Sequence, residues 1–296
     1  MSESALLSAI AERERSAIAA GALRPIRTEE TTVEDAGVRF IVRSVSSLAQ
    51  KDTQSRRADP VGAEPRNPFL PPDAELTIGE ITPTHVGVLN KYPVVAHHLL
   101  VVTKQFVPQE TLLDRDDFVA IAACLEELDG LAFYNAGRAA GASQPHKHLQ
   151  LVPLPLGAAG WDVPVEVLFD SWAATGNVSR LLRLPFRNAF ALLEPSLFED
   201  RPRAAERMQE LYEAALTAIG AIAEGAANDE PPHSVPYNLL VTRRWMLAVP
   251  RAKERFGTIS VNALGFAGSL FARDAVEMQA LRDAGPINVL RSVATP

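Results

Sequence analysis

A chain of 296 residues, 47% of them hydrophobic, is long enough for one large domain or two intimate subdomains around a sizeable core. Its 29 basic and 36 acidic side chains give a formal net charge of −7, which argues against nonspecific nucleic-acid binding. Cys124 is the single cysteine, so an intrachain disulfide and a multi-cysteine zinc site are both excluded.

From the amino end, Glu12, Arg13, Glu14 and Arg15 interrupt any apolar core that a secretory segment would need. Leu6, Leu7, Ile10, Ala11 and Ile18 instead mark one face of an amphipathic helix, with Gly21 as its stop. No apolar run is long enough to span a bilayer, and a cytoplasmic enzyme is expected. Residues 38–42 read as a short strand. Residues 51–73 are charged, then rich in Pro and Gly. Lys51, Arg56 and Arg57 suit either a phosphate-side loop or, by default, a solvated connector. Asn67-Pro68-Phe69 closes that stretch, with Phe69 expected to pack inward. Segments 75–81, 84–90 and 97–103 are predicted antiparallel strands, with a turn at Tyr92-Pro93. His97 and His98 fall on opposite faces of a strand, which makes them poor joint metal ligands. Either is read as a satisfied structural histidine, and one of them could line a pocket.

Phe118, Ile121, Ala122, Leu125 and Leu128 give residues 115–129 a helical apolar face, with Asp114 as N-cap and Gly130 as the stop. Cys124 lies within it as a buried thiol. A strand at 131–135 leads through a glycine-containing loop into a strand at 146–152. After Pro153 and Pro155 come a short helix within 163–174, a strand at 187–193 and a helix at 204–223. A loop at 224–235, a hairpin over 236–250 and a helix at 270–284, ended by Gly285-Pro286, complete the chain. The expected architecture is one domain over 1–296, with a catalytic half near 38–155 and a second half near 156–296. Each half sets strands beside a long helix, as diverged repeats would.

The string Ser143-Gln144-Pro145-His146-Lys147-His148-Leu149-Gln150 carries the most chemistry. In a strand, alternate side chains share a face, so His146, His148 and Gln150 form one polar row while Leu149 and Leu151 face a core. A neutral imidazole can attack an electrophile through one nitrogen while the other fixes the tautomer. The preceding residues 135–144 supply glycine turns, amides, a hydroxyl and the cation Arg138, groups that can cradle phosphate oxygens. The combination points to transfer of a phosphorus-centred group through a phosphohistidine-like intermediate. A structural polar row and a pair of metal ligands are the alternatives at this stage. Lys147 alternates away from the row, toward distal phosphates at the strand edge or toward solvent. Lys91, Lys104, Arg243, Arg244 and Arg251 are among the cations available to a basic pocket within an acidic chain.

Asn135-x-Gly137 followed by Gly141-Ala-Ser-Gln-Pro-His-Lys-His-Leu-Gln150 resembles the signature of the diadenosine tetraphosphate phosphorylases, or ATP adenylyltransferases. These belong to the nucleotidylyltransferase branch of the histidine-triad superfamily. Asn90-Lys91-Tyr92-Pro93, His98-Leu-Leu-Val-Val-Thr-Lys104, Tyr237-Asn-Leu-Leu-Val-Thr242 and Asn262-Ala-Leu-Gly-Phe-Ala-Gly268 extend the likeness over roughly residues 38 to 284. The resemblance implies an α+β fold, a histidine-triad-like antiparallel sheet with packed helices. It makes His148 the nucleophile, gives His146 a main-chain carbonyl that orients the nucleophile's ring, and puts Gln150 against the reacting phosphoryl group. The nucleotide-binding set it suggests is Asn90, Lys91, Asn135, Gly137, Gly141, Ser143, Gln144 and Lys147.

The reaction implied is reversible phosphorolysis of diadenosine tetraphosphate to ATP and ADP through an adenylyl-histidine. Gln150 stands where hydrolytic relatives carry a third histidine. It cannot titrate near neutral pH, which favours transfer to phosphate over hydrolysis. No tightly bound cofactor or structural zinc is expected, Mg2+ would come with the polyphosphate, and the chain is expected to be a monomer. The rival readings are a hexose-phosphate uridylyltransferase using the same histidine, a zinc hydrolase built on His146 and His148, and a nonenzymatic nucleotide-binding module.

Overall fold

The computed structural model describes residues 4–45, 67–158, 160, 162–169, 177–222 and 235–296. The expected phosphate-side cations Lys51, Arg56 and Arg57 and most of the 224–235 loop lie outside those residues, as does the end of the predicted 163–174 helix.

Helix α1 (Ala5–Ala19) begins at Ser4, whose side chain accepts from the Leu7 N–H, and is followed by Gly21 at φ 72°. It buries Ile10 and Ala17 and packs Leu6 and Leu7 against the core, as the expected face requires, whereas Ile18 is largely exposed. Strands β1 (Thr28–Asp35) and β2 (Val38–Val45) form a hairpin through Ala36 and Gly37, both at positive φ as a tight hairpin turn requires. The sequence reading missed β1. Its residues, Thr-Glu-Glu-Thr-Thr-Val-Glu-Asp, are polar and partly exposed, and β2 supplies the pairing that holds them.

The main sheet contains β3 (Thr77–Thr82), β4 (His85–Leu89), β5 (Leu99–Thr103), β6 (Gly130–Ala136), β7 (His148–Pro153), β8 (Ala189–Leu192), β9 (Tyr237–Val241) and β10 (Trp245–Pro250). Their order is β3-β4-β5-β7-β6-β9-β10-β8, and all neighbours are antiparallel. The strands contributed before and after residue 156 therefore form one continuous sheet, joined where Ala132–Ala136 pairs with Tyr237–Val241.

Helix α2 (Arg115–Glu127) starts with a reciprocal capping box between Asp114 and Asp117. It stops before Leu128, which is extended. Gly130 belongs to β6 rather than to a helix end, and a Cβ there would meet the Val152 carbonyl at 2.9 Å. Helix α3 (Arg201–Ala218) begins one turn earlier than its apolar pattern suggested, because Asp200 caps it and Pro202 suits its first turn. Helices α2 and α3 pack together on one face of the sheet over Leu149, Leu151 and Tyr134.

The other face is covered by a second core that includes Phe133, Val152, Leu240 and Leu247. Beyond a small pair, β11 (Arg255–Phe256) and β12 (Ile259–Ser260), come the short helix α4 (Ala263–Phe266), strand β13 (Ser269–Ala272), and helices α5 (Ala275–Ala284) and α6 (Pro286–Val293). The predicted 270–284 helix thus divides: β13 pairs in parallel with β2, and only the remainder is helical. The helix ends at Gly285 as expected, and Pro286 then opens a further helix, α6. Of the predicted 163–174 helix, the described residues 163–169 contain a 3-10 turn at Pro164–Leu168. The result is an α+β fold of antiparallel sheet and packed helices, with one parallel pair in its smaller sheet.

Candidate active site

A cavity of about 770 Å³ opens on the face of the sheet opposite α2 and α3. His148 and Gln150 project into it from β7, His98 and Leu100 from the adjoining β5 edge, and Asn90 and Lys91 from the loop after β4. Gly141, Ser143 and Gln144 form its loop wall, which Asn262 and Leu264 continue. Phe69 closes one side, with its ring centroid 5.4 Å from that of His148 and 5.6 Å from that of His146, so it packs inward as expected.

Backbone groups fix the histidine tautomers. A carbonyl can only accept, so the 2.8 Å contact between His148 Nδ1 and the His146 carbonyl places a proton on Nδ1. The lone pair is left on Nε2 of this cavity-lining ring. Burial pushes the His148 pKa down to about 4, against a smaller upward pull from the His146 carbonyl, and the ring is neutral at physiological pH.

His146 is held by similar logic. Asn67 Oδ1 accepts from the Phe69 N–H, which turns Asn67 Nδ2 toward His146 Nδ1 at 3.0 Å. His146 Nε2 then donates to the Thr103 carbonyl at 2.8 Å. Both of its nitrogens are engaged, which removes it from the zinc pair considered above. Among the described residues, no group of three or more His, Cys, Asp or Glu is arranged to hold a metal ion.

The main chain of His148 is held by a residue the sequence reading did not select. Pairing of β6 with β7 runs only as far as Phe133 with Gln150. Beyond it the fully buried Gln109 carboxamide takes the strand's place. Its Oε1 accepts from the His148 N–H at 2.9 Å, and its Nε2 donates to the Asn135 and His148 carbonyls at 3.0 and 3.2 Å. The strands splay around this side chain, and the 137–145 loop emerges from the gap.

Several predicted binding residues sit elsewhere. Lys147 is 1% exposed on the opposite face of the sheet, where Nζ pairs with Asp117 of α2 and donates to the Leu112 carbonyl at 2.9 Å. Its alternation away from the row was read correctly. That face is covered by a helix, however, so neither phosphate nor solvent reaches the ammonium. Gly137, at φ 85°, shapes the turn and faces Glu110, outside the cavity lining. Asn135 lines the cavity, but its Oδ1 accepts from Asn238 Nδ2 at 2.8 Å and from the Ala263 N–H at 3.0 Å, so this oxygen braces the wall.

The remaining cations also do not converge. Lys104 pairs with Glu80, Arg244 with Glu166, and Arg243 donates to carbonyls at the end of α2. Arg251 is buried beneath the wall. Cys124 is buried as expected, its thiol pushed up to about 12. His97 stands apart from His98 and meets Glu14 at 2.5 Å.

A buried, oriented, unprotonated histidine beside a glycine-shaped loop is suited to covalent transfer of a nucleotidyl group. Comparison with known proteins gives the class directly: residues 182–296 match the ATP adenylyltransferase C-terminal domain, and the protein is a nucleotidyltransferase. Residues 1–171 match the Ap4A phosphorylase N-terminal domain, and the chain belongs to the Ap4A phosphorylase family.

It is 27% identical to diadenosine 5',5'''-P1,P4-tetraphosphate phosphorylase 2 of Saccharomyces cerevisiae, over 88% of this chain and 82% of that protein. It is also 27% identical to Protein APA1 of the same yeast, over 91% of this chain and 87% of that one. The crystal structure of yeast Ap4A phosphorylase Apa2 superposes with a TM-score of 0.78 at 25% identity, covering 100% of this chain and 96% of Apa2. Among the described residues, no helix is long and apolar enough to cross a membrane.

Proposed function

We propose that this chain catalyses reversible phosphorolysis of diadenosine tetraphosphate to ATP and ADP through an adenylyl-His148 intermediate. The observation that carries the reading is the state of His148: neutral, with Nδ1 bonded to the His146 carbonyl and Nε2 as the lone-pair nitrogen of a cavity-lining ring. The name of its yeast relative, a diadenosine tetraphosphate phosphorylase, supports the choice of substrate.

In the first step Nε2 bonds to the α-phosphorus of one adenosine, and the bond from that phosphorus to the bridging oxygen breaks. ATP departs with the bonding pair. In the second step an oxygen of inorganic phosphate bonds to the same phosphorus, the P–N bond breaks, and ADP leaves with His148 restored. The proton stays on Nδ1, donated to the His146 carbonyl throughout, so positive charge on the adenylylated ring is stabilised by a fixed dipole. The amides and hydroxyl of Ser143, Gln144 and Gln150 are the polar groups available to the phosphoryl oxygens. This route needs no tightly bound cofactor. Mg2+ can accompany the polyphosphate and would offset its charge. A monomer is the proposed state, because strands from both halves of the chain already pair in one sheet and reduce the need for a partner to complete the site.

Intact-protein mass spectrometry tests the reading. Wild type mixed with diadenosine tetraphosphate without phosphate should gain one acid-labile adenylyl group. Added phosphate should discharge it as ADP, and ATP plus ADP should give back the dinucleotide. His148→Ala should fold and take no label. His146→Ala should label slowly, because the carbonyl that orients His148 is retained. Normal labelling of His148→Ala, or products that carry only water-derived oxygen, would overturn the proposal. Label from uridine diphosphate-glucose in place of the adenylyl donor would move the chain to the uridylyltransferases.

A further inference from the structure

A second hydrogen-bonded chain enters the cavity beside the nucleophile. The Tyr92 N–H donates to Asn90 Oδ1 at 3.1 Å, Asn90 Nδ2 lies 3.2 Å from His98 Nδ1, and His98 Nε2 lies 2.9 Å from Gln150 Oε1. Side-chain amides and imidazoles can each be turned over, but this chain starts from a backbone N–H, which can only donate. Asn90 must therefore offer its oxygen to Tyr92 and its amino group to His98. His98 Nδ1 must accept, so the ring proton sits on Nε2. That proton needs an acceptor, and Gln150 supplies Oε1. The direction of every bond follows from one end.

We propose that Asn90 and His98 are positioning residues that hold the Gln150 carboxamide with its N–H donors turned to the transferred phosphoryl group. This rests on the nucleotidyl-transfer reading of the cavity given above. Gln150 shares its strand face with His148 two residues away, and both line the cavity. A transferred phosphoryl group carries negative charge on its oxygens and needs donors around it. If the carboxamide were reversed, Oε1 would face those oxygens, and its amino group would meet the N–H of His98. The ring itself is held by burial and by Phe133, whose centroid lies 5.8 Å away. Burial also pushes the His98 pKa down to about 4, so the ring keeps an acceptor nitrogen for Asn90 at neutral pH.

The test combines a spectroscopic readout with a double-mutant cycle on the full chain. Imidazole 15N–1H correlation spectra of the free protein should show His98 as the Nε2–H tautomer. Single-turnover labelling of His148 by diadenosine tetraphosphate should slow about a hundredfold in Gln150→Ala and at least about tenfold in His98→Ala. The double variant should be no slower than Gln150→Ala, because His98 acts through Gln150.

Asn90→Asp keeps shape and still accepts from Tyr92, but it turns the donor facing His98 into an acceptor. At a pH high enough to keep the ring neutral beside this carboxylate, the ring proton should move to Nδ1, and labelling should slow as in His98→Ala. An Nδ1–H tautomer in wild type, losses that multiply in the double variant, or normal labelling of Asn90→Asp would each overturn the proposal. Failure of wild type to take any label would instead defeat the reading of the reaction. The tautomer in the free protein would still decide the direction of the chain.

Discussion

At the scale of single residues, the candidate site is a set of imidazoles whose protons are assigned by groups that cannot change role. The Thr103 and His146 carbonyls and the Phe69 and Tyr92 N–H groups settle three rings. This arrangement has a pH signature. His148 and His98 both sit near 4, below the ordinary value of 6.5, because burial opposes their charged forms. In the unfolded chain they would take up protons from about 6.5 downward. Between those values the unfolded ensemble binds more protons, so stability should fall as pH drops from about 6.5 toward 4. Urea unfolding at a series of pH values should show this slope. His98→Asn should make it shallower, and an unchanged slope would mean that His98 does not titrate differently on folding. Labelling of His148 in the phosphate-free half reaction should stay level down to about pH 5 and then fall, since protonation of Nε2 removes the lone pair. The alternation of His148 and Gln150 was legible, because period two is a local property of sequence, whereas His146 precedes β7 and lies outside the cavity lining. His98 was not legible. It looks like one more histidine at the start of an apolar strand, and its partner Gln150 is 52 residues away.

At the scale of elements, the strand that carries the nucleophile is fastened to α2 through the residue between the two histidines. Lys147 and Asp117 are each 1% exposed, and Asp117 also binds His85 Nε2 at 3.1 Å and the Asp114 N–H at 2.9 Å. Those contacts lower the Asp117 carboxyl against the opposing effect of burial. Lys147→Met should cost about 3–5 kcal/mol, because a buried carboxylate is left without its ammonium. Following with Asp117→Leu should recover much of the loss, since a well-packed apolar pair can replace a buried ion pair. Thermal unfolding of the single and double variants would decide it, and a single variant as stable as wild type would defeat the account. The sequence reading placed α2, its Asp114 cap and the strands on either side of it along the chain, because apolar period and capping chemistry lie within one stretch of chain. It did not find Asp117, which reads as an ordinary first-turn acid until β7 is folded beneath it. It also merged β13 into a helix. Leu270 and Phe271 continue an apolar pattern there, and the pairing that makes them a strand comes from Val42 and Arg43, far earlier in the chain.

At the scale of the whole molecule, the cavity wall depends on a buried cation with no carboxylate in its hydrogen-bond shell. Arg251, 2% exposed at the end of β10, places its guanidinium among carbonyls. Nε donates to Val293 at 3.2 Å, and Nη1 to Ala140 at 3.2 Å and to Asn238 Oδ1 at 2.6 Å. Nη2 donates to Lys253 at 2.9 Å and to Val261 at 2.9 Å. Its face lies 5.2 Å from the centre of the Phe266 ring. Burial draws its pKa down to about 10, so the charge is retained at neutral pH and is met by peptide dipoles. One side chain therefore ties the carboxy-terminal helix, the turn before Gly141 and the wall that continues into Asn262. Gly141 makes the closeness of the last two visible: a Cβ on it would stand 2.9 Å from both the Val261 carbonyl and the Asn262 Cβ. A lysine cannot replace this fork, because a single ammonium cannot span carbonyls that lie in different directions. Arg251→Lys should lose roughly 2–5 kcal/mol through donors withdrawn from buried acceptors. It should also weaken binding of the product ADP, since the walls of the cavity are no longer drawn together, while the His148 tautomer stays as it is. Calorimetric unfolding and ADP titration of the same variant separate the effects. Unchanged melting would show that the guanidinium is not a structural tie, and lost stability with unchanged ADP affinity would confine that tie to the carboxy-terminal helix.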